Sequence, residues 1–130
     1  MRHQNTEEWE ARLRSAFDRV DDYLEEKYGD RYSPHPSRPE RGTTASKEQD
    51  GLFYVGASFS VGADSEHGPG YVINLKPVTL EKIPAIELEE MERAMVRILE
   101  EELPLRFPGR DLKVSRDGHV LKIHGDLGFD

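Results

Sequence analysis

Apolar residues recur every third or fourth position near the start of the chain. Trp9, Leu13, Ala16, Phe17, Val20, Leu24 and Tyr28 would stack on one face of a helix, the spacing that a 3.6-residue period produces. The pattern predicts an amphipathic helix over residues 1–29. Asn5 is placed to cap its start, with Glu8 reaching back as in a capping box. Gly29 is placed for a left-handed cap at its end. Glu8 with Arg12 and Glu10 with Arg14 form i,i+4 pairs on the polar side.

Over residues 30–50 the pattern stops. Pro34, Pro36 and Pro39 stand among Ser, Thr, Arg, Glu and Gln, with almost nothing apolar after Tyr32. Prolines at this density remove backbone donors and bar a helix. A patternless connection of this length is read as a flexible, Pro-rich linker.

The period then becomes two. Phe53, Val55, Ala57, Phe59 and Val61 alternate with smaller or polar neighbours, the mark of a half-buried strand. A loop from Gly62 to Gly70 leads to a second strand over Tyr71–Val78. Pro84 is suited to the first position of a helix. Leu88, Met91, Met95, Ile98, Leu99 and Leu103 continue at helical spacing, and Pro104 is expected to end that helix. Leu105 and Phe107 should then tuck inward from a turn. Asp117-Gly118 is a favoured type I′ pair. With those two residues as the loop, Val114 faces Leu121, Lys113 faces Lys122, and Leu112, Val114, Leu121 and Ile123 share one face.

The fold class that follows is α+β: an N-terminal helix, then ββαββ, with a four-stranded antiparallel sheet covered by helices on one face. The expected units are the helix at 1–29, the linker at 30–50 and the α+β domain at 51–130. Pattern alone does not order the strands, and open sheet edges would allow a homodimer.

Charge and composition narrow the chemistry. The 130 residues carry a formal net charge of −8 and no cysteine, which excludes disulfides, thiolate metal sites and cysteine nucleophiles. No apolar run approaches the roughly 20 residues needed to span a bilayer. The first twenty residues lack the apolar core of a secretory signal. A cytoplasmic protein without membrane association is expected. Broad nucleic-acid binding is not, because it requires concentrated positive charge.

Three places could carry function. Loop 62–70 holds Glu66 beside His67, a pair able to move protons, but it lacks the context of a phosphate loop. A hairpin loop rich in Gly, Pro and Asp also needs no function to explain it. Segment 104–124 sets Arg106, Arg110, Lys113, Arg116 and Lys122 against Asp111 and Asp117, a local +3. This is either a patch for an anion or RNA, or a solvated face. Lys113, Lys122 and His124 fall on the outward sheet face with Tyr54, Ser58, Asn74 and Lys76. His119, His124, Asp126 and His67 are metal-capable residue types. In one strand, however, His119 and His124 would lie about 16 Å apart, and no metal or cofactor is expected. Met91 and Met95 belong to the core stripe, although an adaptable groove would use the same residues.

The leading functional expectation is a non-enzymatic interaction module with a protein partner or a second copy. Its N-terminal helix would dock through Trp9, Leu13, Phe17, Val20 and Leu24. The competing arrangement folds that helix back onto its own sheet. A small-molecule-binding protein or enzyme using Glu66, His67, Lys113, Lys122 and His124 is the alternative. RNA or anion binding by residues 106–122 is the third reading.

Overall fold

A computed structural model describes residues 2–44, 49–62 and 65–127. Its elements are α1 (Arg2–Tyr28), β1 (Phe53–Ser60), β2 (Gly70–Pro77), α2 (Ala85–Arg106), β3 (Leu112–Asp117) and β4 (Val120–Gly125). The strands form one antiparallel sheet in the order β1-β2-β4-β3. The expected α+β architecture is therefore the observed one.

The stripe on α1 is buried as its spacing requires. Leu13, Ala16, Phe17, Val20, Leu24 and Tyr28 join one core with Leu52, Phe53, Val55, Tyr71 and Ile73 of the β1–β2 region and Met91, Met95, Leu99 and Leu103 of α2. α1 packs on β1 and on α2, and α2 reaches β3.

Both helix caps differ from expectation. Asn5 lies inside α1, so it is not the N-cap; the residues before it include no helix breaker. Gly29 does not adopt a positive φ. Its N–H donates to the Glu25 carbonyl at 2.8 Å, as in a continuing helix. A Cβ at Gly29 would collide with that same carbonyl oxygen, so the glycine serves close approach and not a left-handed turn.

In α2, Pro104 sits within the last turn and the helix runs on to Arg106. Phe107 closes it by donating its N–H to the Leu103 carbonyl at 2.8 Å. Phe107 follows Leu103 by one helical turn and is buried, while Leu105 points the other way and is 73% exposed. At the other end Pro84 precedes the helix as its N-cap residue.

The expected loose linker is instead tied down along its described length. His35 donates its N–H to the Val78 carbonyl at 2.7 Å, and Gly51 donates to the Pro39 carbonyl at 2.9 Å. Arg38 donates to the carbonyls of Asp50, Gly51 and Phe53. Arg41 pairs with Asp21 at 2.6 Å and with Asp22 at 2.5 Å on α1. Asp50 accepts from the N–H groups of Gly42 and Thr44 and from the Thr44 hydroxyl. These anchors are polar, so an apolar pattern does not reveal them. Positions 45–48 of the expected linker lie outside the described residues.

The C-terminal hairpin corrects the predicted register. Asp117 pairs with Val120, Ser115 with Lys122, Val114 with Ile123 and Lys113 with His124. The loop is Gly118-His119. Gly118 has φ +67° and no non-glycine among the described residues has positive φ, the pattern of a type II′ turn. Lys113 and Lys122 therefore do not face each other. The displacement moves the pairing by two positions, so Leu112, Val114, Leu121 and Ile123 still share a face.

Candidate binding site

Loop 62–70 is held by two outward residues of the C-terminal hairpin. Lys122 is only 2% exposed. Its ammonium donates to Ser65 Oγ at 2.9 Å and to the Gly68 carbonyl at 2.8 Å, and lies 3.1 Å from Asp117 Oδ2. Three donors thus meet three acceptors. The Asp117 carboxylate accepts from the N–H groups of Glu66 and His67 at 3.1 and 3.0 Å. Burial would raise the Asp117 pKa, but these two N–H groups and Lys122 outweigh it and hold it at about 2. Lys122, predicted as an accessible ligand-binding residue, is a buried clamp. Glu66 contributes its backbone N–H. Ala63 and Asp64 of this loop lie outside the described residues.

The clamp brings His67 onto His124, with ring centroids 4.4 Å apart and planes 18° from parallel. His124 Nε2 lies 2.9 Å from Ser115 Oγ. Burial lowers the His124 pKa, and the neighbouring His67, Lys113 and Lys122 lower it further. Imidazole lone pairs lie in the ring planes, so stacked rings do not aim at one point between them. No group of three metal-capable side chains occurs among the described residues.

The basic segment meets carboxylates from outside its own stretch. Arg106 pairs with Glu102, Arg110 with Asp126 and Arg116 with Glu92. Lys113 lies 3.8 Å from Asp111, and Lys122 is paired with Asp117. The +3 counted along the chain omits Glu92, Glu102 and Asp126. Arg110 also lies over the Trp9 ring, which stacks on Phe107.

The predicted docking residues of α1 are spent inside the molecule. Leu13, Phe17, Val20 and Leu24 are buried, and Trp9 is half-buried against the same core. This is the fold-back arrangement, which turns the apolar stripe of α1 into the molecule's own core.

What the structure adds is a cleft of about 600 Å³ between α2 and the sheet. Leu88, Met91 and Met95 of α2 and Ile73, Leu75 and Leu121 of the sheet give it an apolar lining, with Tyr54, Asn74, Lys76, Glu92 and His119 at its polar positions. It exists because β2 outlasts its neighbour. The β2–β4 pairing ends at Ile73 with Leu121, whereas β2 continues to Pro77 beside β1. The backbone direction at Leu75 follows from the register. Val78 donates to the Leu52 carbonyl, so even-numbered β2 residues bond toward β1 and odd-numbered ones toward β4. Leu75 therefore turns its N–H and C=O into the gap, and among the described residues neither has a hydrogen-bond partner there. Met91 and Met95 are core residues, as their stripe predicts, and touch the cleft only from beneath. The early end of the β2–β4 pairing was not visible, because it depends on strand order.

Among the described residues no helix is long and apolar enough to cross a membrane. No solved structure matches the chain. A protein of Borreliella burgdorferi (strain ATCC 35210 / DSM 4680 / CIP 102532 / B31), described as "Uncharacterized protein", is 37% identical over 106 residues, covering 82% of this chain and 83% of its own. The sequence model of a family described as "Uncharacterised protein" matches residues 4–125. The match runs from the first turn of α1 to the end of β4, and the chain belongs to that family.

Proposed function

We propose that this protein is a non-enzymatic binding module and that the cleft between α2 and the free half of β2 is its seat. The observation that carries the reading is an apolar cleft of about 600 Å³ with the unpaired Leu75 N–H and C=O in its wall. Ligand sites are commonly mostly apolar concavities of roughly 300–1,000 Å³ with a few placed polar groups. Met91 and Met95 back the cleft from the core, at 0% and 1% exposure, and Leu75 adds half-buried apolar surface above them. Leu88 and Val120 extend the apolar surface to the rim, at 41% and 37% exposure. The three other places carry less. The described part of loop 62–70 gives its Ser65 hydroxyl, Gly68 carbonyl and Glu66 and His67 N–H groups to the Lys122–Asp117 clamp, the basic segment is matched by carboxylates, and the α1 stripe is core.

Anilinonaphthalene sulfonate, an apolar body with one anionic end, tests the seat. Its fluorescence should rise with saturable one-to-one binding to the native protein. Leu88→Glu and Val120→Glu change exposed lining positions that the fold does not need, and each should weaken binding about tenfold, or about 1.4 kcal/mol. Native protein that fails to bind the probe, or variants that bind it as well as the parent, would remove the cleft as the site.

A further inference from the structure

We infer that the occupant of the cleft is an extended peptide segment that adds to the sheet at Leu75. This rests on the cleft being the binding seat and goes on to name the ligand class. Leu75 presents one full rung, an N–H and a C=O, to the gap left where the β2–β4 pairing stops. Pro77 presents a further carbonyl on the same side and, as a proline, no N–H. A strand laid here lies in the line of β4 and extends the sheet already formed, the geometry of β-strand addition.

The two faces of the sheet then specify the segment. Residues paired across strands project their side chains to the same face. The residue opposite Leu75 thus points with it toward Met91 and Met95 and should be apolar. Continued one position past Ile73 and Leu121, the register sets Val120 of β4 beside Asn74, so the segment extends only toward Pro77. Its residue beside Lys76 points to the opposite face, where Lys76 lies exposed and makes no ion pair among the described residues. An acidic residue beside the apolar one complements that cation. Among the described residues the sole carboxylate in the lining, Glu92, is already paired with Arg116. In the line and direction of β4, the occupant is therefore a short extended segment that ends in an apolar residue preceded by an acidic one.

The test uses the full-length protein and a blocked tetrapeptide, Thr-Thr-Glu-Leu, with and without a methyl group on the leucine nitrogen. The methyl group removes the donor that the Leu75 carbonyl would accept and leaves every side chain in place. The parent peptide should displace anilinonaphthalene sulfonate and shift the Leu75 amide resonance, and the methylated peptide should bind at least tenfold more weakly. Equal displacement by both peptides overturns main-chain pairing. Displacement by neither, with the fluorophore still bound, overturns the peptide as occupant while leaving the cleft a small-ligand site. A fluorophore that does not bind at all defeats the cleft itself.

Discussion

Lys122 occupies a position that alternation along β4 assigns to the polar face, and it does lie there. Its burial comes from loop 62–70, which folds over it and supplies the Ser65 and Gly68 oxygens. Strand periodicity therefore gave the direction of this side chain and could not give its surroundings, which depend on a contact 57 residues away in sequence. Breaking a buried, hydrogen-bonded ion pair by removing one partner typically costs about 3–5 kcal/mol. Lys122→Met should lower the urea midpoint by a corresponding amount, and the double variant with Asp117→Asn should recover part of the loss. Asp21 behaves in the opposite sense. It is fully buried beside Arg41, with Oδ2 unpartnered. Burial raises its pKa from 3.8 to about 6, against the pull of Arg41. Between those values the native chain holds a proton that the unfolded chain releases, so this group adds stability as pH falls from 7 toward 4. His124, lowered in the native state, opposes it as pH falls through 6.5. The comparison is therefore wild type against Asp21→Asn. Wild type should gain on the variant by about 1 kcal/mol between pH 7.5 and pH 5, after allowance for solvent screening. Parallel stability curves over that range would contradict the assignment.

At the scale of elements, turn chemistry identified the right hairpin but placed the loop one residue early. Asp117-Gly118 suits a type I′ turn only if the aspartate takes positive φ. Here Asp117 remains in β3, and its carboxylate takes the Glu66 and His67 N–H groups. Gly118 alone supplies the left-handed residue. The tertiary bond thus decides between two turns that local sequence treats almost alike. Gly118→Ala should cost about 1–2 kcal/mol, because an alanine is strained at that φ, while His119→Ala at the next loop position should cost under about 0.5 kcal/mol. Chemical denaturation of the two variants compares them directly; equal losses would argue against a turn governed by Gly118. The helices were more legible than the turns because their stripes repeat over many residues. The cleft was less legible than either, since the β2–β4 pairing depends on strand order and no local signal encodes that order.

For the whole molecule, the decisive relation is between α1 and everything after residue 50. The sequence admits two arrangements of the same amphipathic helix, a tethered docking element or a part of the core, because the stripe is identical in both. Polar contacts distinguish them as clearly as the apolar ones. Glu25 on α1 accepts from the N–H groups of Leu52 and Phe53 at 2.7 and 3.0 Å. Arg14 donates to the Val55 carbonyl at 2.8 Å. Together with Arg38 on Phe53, α1 and the segment that follows it cover the start of edge strand β1, whose backbone groups would otherwise be open to pairing. A chain beginning at Gly51 loses these contacts together with Leu13, Phe17, Val20, Leu24 and Tyr28. Each buried side chain of this size is worth about 1.5–3 kcal/mol, so the loss is comparable with the roughly 5–15 kcal/mol that holds a domain together. The truncated chain should show no cooperative thermal transition and should expose apolar surface. A sharp transition in that chain would instead mean that residues 51–130 fold alone, returning α1 to the role of a separable docking helix.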